Sequence, residues 1–214
     1  MPSALSAGPG MVWVPAHGEE LHFDIEHKGK VIGEMTMRFE RDADQTLTMR
    51  RTQNFKAKKF LVSIQMMQQV EEVWQAGHLV RMKARTDVDT SVGDQLIEFS
   101  AQRTPDGQLL VRGVDGEKLL PGDIWPSALW HKSLLGAEHY FQPRGGRIIA
   151  MEPKEIGQET RSFGGERVVC DKIKVLTEGP EGEPAEILVW YTQTGQPCAM
   201  QLSSQMGELT YSRR

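Results

Sequence analysis

Two absences narrow the class of this 214-residue protein. The sequence has no apolar run of about 18 residues, the length that a membrane-spanning helix needs. It has no cationic excess either, because 25 Lys and Arg stand against 29 Asp and Glu, for a formal net charge of −4. A general nucleic-acid binder would carry a basic surface. The composition therefore predicts no nucleic-acid partner and no transmembrane segment.

The motifs of common catalytic and cofactor-binding sites are also missing. The sequence contains no G-x-S-x-G, no phosphate-binding G-x-x-x-x-G-K-[ST] and no H-E-x-x-H. His131 and His139 with Glu138 match no standard metal-ligand spacing. We therefore predict no catalytic residue, no metal and no cofactor, and we favour a non-enzymatic protein. An enzyme of unknown class that uses Glu72 and a histidine as acid and base is one alternative.

Cysteine is scarce, with Cys170 and Cys198 as the two examples. They would permit one disulfide in an oxidising compartment. However, their strands are expected to flank a third strand over residues 186–192. Two strand spacings amount to about 10 Å, which is farther than a disulfide reaches. We therefore expect both thiols to be free.

Residues 1–19 are expected to form a flexible N-terminus. Small and apolar residues up to Ala16 resemble the end of a signal peptide with its cleavage zone, but the cationic start is missing, since the first basic residue is Lys28. We interpret the segment as a truncated or misassigned leader. The alternative is an ordinary terminus. The first interpretation places the protein in the periplasm or outside the cell, and the second leaves it in the cytoplasm.

Alternating apolar residues separated by turns dominate residues 20–214. Leu21, Phe23 and Ile25 share one face of a predicted strand. The same period of two recurs along the chain, with turn signals every 8–15 residues. Turns are predicted at HKGK (27–30), DADQ (42–45), QAGH (75–78), TPDGQ (104–108), VDGE (114–117), EGPEGEP (178–184), QTGQ (193–196) and QMGE (205–208). The pattern predicts a single all-β domain, built as one curved antiparallel sheet or half-barrel.

The densest basic run is Arg50, Arg51, Lys56, Lys58 and Lys59. Such a run on a strand is typical of a solvated face. A contact with phosphate or anionic lipid is the alternative.

One predicted hairpin, strands 62–74 and 78–88, places polar groups on an apolar face. With a three-residue loop, Trp74 faces His78 and Glu72 faces Val80. Gln68 and Glu72 then lie among apolar side chains, where a carboxylate costs several kcal/mol unless it is paired, hydrogen-bonded or protonated. Two interpretations remain open, a satisfied polar group in the core and a binding cavity.

The stretch GDIWPSALWHKSLLG (122–136) interrupts the strand pattern. Pro126 and Ser127 indicate a helix start, and residues 127–135 favour two helical turns that end at Gly136. This helical insertion near 124–136 is expected to pack on or over the concave face of the sheet. Trp130 would face inward and His131 outward. A plug, a pocket lid and a catalytic element are the alternatives for its role.

Several stretches together resemble a known type of family. They are LHFDIEHKGKVIGEMTMRFER, EEVWQAGHLVRMKARTD, PSALWHKSLL, EIGQETRSFGGERVVCDKIKV, VWYTQTGQPCAMQL and GELTYSRR. The chain resembles an uncharacterised family of exported bacterial β-proteins, a domain of unknown function, similar in layout to periplasmic lipoprotein-carrier-like half-barrels. It departs from similar proteins in having Trp130-His131 where they tend to have Trp-Asn. The resemblance implies export and a sheet curved around a helix-plugged concave face, and it brings no catalytic residues.

These observations predict a cell-envelope protein that binds an apolar or amphipathic ligand, such as a lipid, in a concave cavity. The alternative is a structural or protein-interaction module of the envelope with a filled core and an envelope protein as partner. The residues expected to line the cavity are Glu72, Gln68, Met66, Trp74, Met82, Trp125, Trp130 and His131.

Overall fold

A computed structural model describes residues 13–59, 62–127, 129–179, 182–204 and 207–214, which form sixteen β-strands and one short 3₁₀ helix. The strands are β1 (Glu20–His27), β2 (Lys30–Arg41), β3 (Leu47–Lys59), β4 (Val62–Gln75), β5 (His78–Thr90), β6 (Gly93–Arg103), β7 (Leu109–Gly113), β8 (Gly116–Leu120), β9 (Trp125–Pro126), β10 (His139–Phe141), β11 (Ile148–Ala150), β12 (Glu152–Phe163), β13 (Glu166–Glu178), β14 (Pro184–Thr192), β15 (Pro197–Ser204) and β16 (Gly207–Arg213). The helix spans Lys132–Gly136.

Thirteen of the strands form one antiparallel sheet in the order β12-β13-β14-β15-β16-β1-β2-β3-β4-β5-β6-β7-β8. The first and last strands of the chain are neighbours, since β1 pairs with β16. Each remaining pair of neighbours is a hairpin in sequence. The predicted turns fall at most of these connections, but none of those turns lies between β3 and β4, between β5 and β6, or between β12 and β13. The all-β fold with one large antiparallel sheet is confirmed.

The sheet curves around a common interior. Tyr191 on β14 binds the carbonyl of Leu129, and Glu72 on β4 binds the indole of the next residue, Trp130. In a flat sheet these two strands would lie roughly 29 Å apart, so binding to consecutive residues requires curvature. The predicted alternation supplies the inner face, because Leu21, Phe23 and Ile25 are all buried.

The β4–β5 hairpin has a shorter turn than the three-residue loop that we predicted. Gln75 pairs with His78, so Ala76 and Gly77 form a two-residue turn. Both turn residues have positive φ, 49° for Ala76 and 79° for Gly77. This conformation matches the twist of a hairpin and favours Gly at the second position.

The register of this hairpin is also shifted from the prediction. A bulge between Val73 and Trp74 lets Trp74 pair with Leu79, and Glu72 then pairs with Met82 instead of Val80. Without a bulge, a two-residue turn would pair Met82 with Glu71 and place Met82 on the polar face. The bulge adds one residue and restores the apolar face, so Glu72 still points inward.

A segment comprising residues 121–150, here called the crossing segment, lies inside the curve of the sheet. Its Trp130 packs with the cluster of β1–β7, and its Leu134 packs with Val189 and Tyr191 of β14. It also carries the small sheet β11-β10-β9. The two helical turns expected at 127–135 are absent from its described residues, and a 3₁₀ helix of five residues follows instead.

Cys170 and Cys198 form a disulfide, so the expectation of free thiols was wrong. The expected strand order is correct, because β14 lies between β13 and β15. The distance was wrong, since the two Cα atoms are 6.7 Å apart. Cys170 pairs with Thr192, the last residue of β14, and Cys198 lies at a bulge in the β14–β15 pairing. A bulge bends and twists the strand, which accounts for the close approach of the flanking strands here.

Candidate functional site

Glu72 lies at the centre of the interior, with 1% of its surface exposed. Its Oε2 accepts hydrogen bonds from two indole groups, Nε1 of Trp74 at 3.0 Å and Nε1 of Trp130 at 2.9 Å. The first donor sits two residues away on the same strand face, and the second comes from the crossing segment. Glu72 therefore holds the crossing segment against the sheet.

Burial raises the pKa of Glu72, because the charged carboxylate loses hydration. The indole donors of Trp130 and Trp74 and the charge of Arg51 oppose this rise in pKa. Among the described residues, neither a histidine nor a second carboxylate interacts with Glu72. Burial is the largest of these effects, so the interior favours the neutral acid of Glu72 more than water does.

Arg51 is the cation of this interior. It was predicted in a basic run on a solvated strand face, but β3 alternates, so Arg50 faces outward to Glu71 while Arg51 faces inward. Its Nη2 donates to Oε1 of Gln68 at 2.9 Å, and Nε2 of Gln68 donates to Thr86 at 2.9 Å.

Burial lowers the pKa of Arg51, while Glu72 and Tyr211 oppose that shift. Burial also raises the pKa of Tyr211 to about 12. The Nε of Arg51 is buried and has no hydrogen-bond partner among the described residues. A buried guanidinium N–H normally finds an acceptor, so this group can bind one more oxygen.

Four tryptophans close this interior, here called the tryptophan cluster: Trp13, Trp74, Trp125 and Trp130. Trp74 packs against Trp125 with the ring planes tilted by 39° and the centroids 4.7 Å apart. Trp130 packs edge-on against Trp74 at 6.1 Å and against Trp13 at 6.3 Å. Such aromatic contacts stabilise a fixed geometry.

His131 belongs to the edge of this cluster, whereas we expected it to face outward. Its ring lies 5.5 Å from that of Trp125 and 5.1 Å from that of Trp130. Its Nδ1 accepts a hydrogen bond from the backbone N–H of Ser133 and so caps the 3₁₀ helix. Burial lowers the pKa of His131.

Trp13 was not predicted as a site residue, because it falls in the segment 1–19 that we expected to be flexible. It contacts Phe39 at 5.3 Å, and its backbone N–H donates to the carbonyl of Thr194. A tryptophan in the stretch MVWVP was the available signal. The expected leader itself falls mainly on residues 1–12, which lie outside the described residues.

The remaining predicted residues lie on the same inner face. Met82 is buried, with 1% of its surface exposed, and pairs with Glu72. Met66 is half-buried and packs against the main cluster. The structure therefore gathers most of the predicted residues around Glu72, whereas Met66 lies six residues farther along β4, roughly 20 Å away.

A small cavity of about 40 Å³ remains beside Arg51. Its walls are Phe23, Met35, Met37, Ser127, Leu129, Trp130, Pro197, Ala199, Met200 and Tyr211, with Arg51 as the single charged group. Pockets that bind small molecules usually measure about 300–1,000 Å³. The cavity has room for a few water molecules, and a larger guest requires the crossing segment to shift.

No helix in the described part of the chain is long and apolar enough to cross a membrane. Among the described residues, no group of three or more His, Cys, Asp or Glu side chains is placed to hold a metal ion.

Comparison with known proteins agrees with the fold. The solved structures that match include a beta-barrel-like protein of domain of unknown function DUF1849 from Brucella abortus, with a TM-score of 0.66 and 11% identity over 91% of this chain and 94% of that one. At this identity the likeness concerns the fold alone. No curated protein matches the chain. The model of the family described as Domain of unknown function (DUF6134) matches residues 23–214, and the chain belongs to this family.

Proposed function

We propose that this protein is a non-enzymatic, exported binding protein of the bacterial cell envelope. Its ligand is an amphipathic molecule with an anionic head, such as a fatty acid or an acidic lipid. The head binds Arg51, and the apolar part lies between the sheet and the crossing segment. The proposed ligand belongs to the class predicted from the sequence, apolar or amphipathic molecules, and is now restricted to those with an anionic head. The residue that binds its head is Arg51 in place of Glu72.

The observation that carries the proposal is the environment of Arg51. Its buried Nε has no protein acceptor among the described residues, and it lines a cavity whose other walls are mostly apolar. Methionines 35, 37 and 200 form part of those walls, and methionine adapts to irregular guests. The Oε2 of Glu72, by contrast, already accepts hydrogen bonds from two indole groups.

The disulfide supports the proposed location. Cys170 and Cys198 are both engaged in it, and such bonds persist in the periplasm and outside the cell, where thiols are not kept reduced. Cell fractionation of a native host, followed by non-reducing mass spectrometry, tests this location. Recovery of the reduced protein from the cytosol would contradict it.

The direct experiment is a titration of solvent-extracted protein with laurate. Binding is monitored by tryptophan emission, because Trp130 of the tryptophan cluster lines the cavity. Dodecanol serves as the uncharged ligand of the same chain length. A charged hydrogen bond contributes about 1.5–3 kcal/mol, so laurate should bind about tenfold or more tightly than dodecanol.

Variants assign the binding to Arg51. In Arg51→Met the preference for laurate should disappear, while Arg51→Lys should keep part of it. Arg112→Met, which removes a surface guanidinium paired with Glu117, is the matched control and should bind as the wild type does. Equal binding of laurate and dodecanol by the wild type, or no binding of either, would reject the proposal.

A second candidate is a structural or protein-interaction module of the envelope with a filled core. The observation in its favour is the packing of the interior, where Trp130 and Met82 have 2% and 1% of their surfaces exposed. It predicts no ligand in the laurate titration and a protein partner at a sheet edge.

A further inference from the structure

Two neighbouring hairpins of the large sheet separate at one end. The pairing of β2 with β3 runs from Gly33–Phe55 to Arg41–Leu47. Beyond this point β2 pairs with β1 alone, and β3 continues to Lys59 paired with β4. The β1–β2 and β3–β4 hairpins thus form the two prongs of an open fork.

The fork is a consequence of local sequence. The β1–β2 register shifts between Ile25 and Glu26, which leaves Ile32 as an extra residue in β2, and such a bulge bends its strand. The next residue is Gly33, where an added Cβ would lie 2.1 Å from the backbone oxygen of Asn54 and 2.5 Å from the Cα of Phe55. Glycine alone permits this close approach, so the last point of pairing is fixed at Gly33.

A groove of about 340 Å³ lies between the prongs. Val31, Ile32 and Phe55 give it apolar walls. Its charged lining residues are Glu34, Lys56 and Arg214. This volume lies within the usual range for ligand sites, unlike the small cavity beside Arg51.

The β3 prong presents a free strand edge to this groove. In an antiparallel ladder, alternate residues direct their N–H and C=O groups to opposite neighbours. Within the described part of the chain, β2 makes no pairs with residues 56–59, so half of the backbone groups of this stretch point into the groove without a strand partner. Free edges of this kind accept an added strand.

Both prongs carry exposed lysines, and the β1–β2 prong also carries carboxylates. Lys28 and Lys30 are exposed on one, and Lys56 and Lys58 are exposed on the other. The ion pairs of lysine found among the described residues involve none of these four.

The carboxylates on the inner wall of the fork do not neutralise the lysines. Asp24 and Glu34 both bind the guanidinium of Arg214, at 2.6 and 3.2 Å. The lysines therefore remain available to a ligand of opposite charge.

We propose that the fork binds an extended acidic peptide segment of a partner protein, which adds as a strand to β3 at Lys56–Lys58. The free edge supplies backbone hydrogen bonds, the apolar walls take alternate side chains, and the lysines bind the acidic ones. An anionic membrane would use the lysines but neither the edge nor the groove, so the peptide is the better match. This site is independent of the cavity beside Arg51.

The test uses a pool of peptides of about ten residues, the length of a long strand, with Asp or Glu alternating with Val, Ile or Thr. Binding to the full chain is measured by fluorescence anisotropy, with phosphatidylglycerol vesicles as a second probe. Each bound peptide is also made with N-methyl groups on alternate amides, which keeps its charge and removes its ability to pair as a strand.

The expected result is saturable binding that N-methylation weakens by about tenfold or more. The double variant Lys56→Glu/Lys58→Glu should weaken it by a similar factor, since like charges oppose association. The matched control Lys83→Glu/Lys154→Glu changes two exposed lysines on other strands and should bind as the wild type does. Amide hydrogen exchange should show new protection at residues 56–58.

Three results would overturn the proposal. The first is that no peptide of the pool binds. The second is that the N-methylated peptides bind as tightly as their parents, so that charge without strand pairing accounts for binding. The third is that the vesicles bind through these lysines while the peptides do not. The third result would assign the fork to an anionic surface.

Discussion

Glu72 and its two indole donors decide whether the crossing segment stays against the sheet. Replacing Glu72 with Leu leaves the Nε1–H groups of Trp74 and Trp130 without an acceptor and the charge of Arg51 without its counter-charge. We expect the free energy of unfolding to fall by about 2–5 kcal/mol, measured by urea denaturation.

The matched control is Glu72→Gln, which keeps an oxygen in place to accept from both indoles. Its free energy of unfolding should fall by less than that of the Leu variant. The opposite result, a Leu variant as stable as the wild type, would show that Glu72 is incidental to the fold.

Because the native state raises the pKa of Glu72, the wild type binds more protons than its unfolded chain just above the ordinary carboxylate pKa. The contribution of this group therefore falls as the pH rises through that range.

His131 gives the fold a dependence on acid. Its pKa is lowered in the folded state, and its Nδ1 must be unprotonated to accept from Ser133. The unfolded chain then binds more protons as the pH falls below about 6.5. We expect stability to decrease over that range and the decrease to be smaller in His131→Asn, whose side chain has an oxygen acceptor and does not titrate.

Thermal denaturation at a series of pH values measures this difference. The melting temperatures of the wild type and of His131→Asn should change in parallel above the ordinary histidine pKa. Below it, that of the wild type should fall more steeply. Parallel curves across the whole range would show that His131 does not contribute.

At the scale of elements, the β4–β5 turn offers a simple gain in stability. Ala76 has a φ of 49°, a region that Asn tolerates better than Ala, and Asn-Gly is the preferred pair for this type of turn. Ala76→Asn should raise the free energy of unfolding by about 0.5–1 kcal/mol. Gly77→Ala is the reverse control and should lower it by about 1 kcal/mol or more.

Denaturant midpoints with unchanged slopes would check both variants. Destabilisation by Ala76→Asn would contradict the two-residue turn and favour the longer loop that the sequence suggested.

The same hairpin shows which structural features sequence patterns predict and which they miss. Alternation placed Glu72 on the inner face, because the period of two fixes which side chains share a face. The bulge at Val73 and Trp74 was not predicted, because a single extra residue leaves no mark in the composition. The 3₁₀ helix likewise departs from the two turns predicted at 127–135, since packing of Trp130 and Leu134 into the interior decides the local conformation.

At the scale of the whole molecule, the disulfide joins strands that are not neighbours in the sheet. Its two cysteines are separated by 28 positions, so its loss should cost about 2–4 kcal/mol. The double variant Cys170→Ala/Cys198→Ala should show this loss in urea denaturation. Reductant should lower the stability of the wild type and leave that of the double variant unchanged, and a wild type insensitive to reductant would contradict the structural role of the bond.

The antiparallel all-β fold was predictable because most hairpins are marked in the sequence by alternating apolar residues and a turn signal. The disulfide was not, because its geometry depends on curvature at the end of β14, which strand spacing alone does not describe. The inward position of Arg51 was also missed, although the alternation of β3 already separates it from Arg50. The contact of Trp13 with Trp130 depends on the curvature of the whole sheet, which no local pattern encodes.

Native mass spectrometry of the protein purified from a bacterial envelope tests the central proposal most directly. The account predicts an acidic, lipid-sized adduct that solvent extraction removes and that is absent from Arg51→Met but present in Arg112→Met. The bare mass of the chain in the wild type would contradict it and leave the filled-core interaction module as the better description.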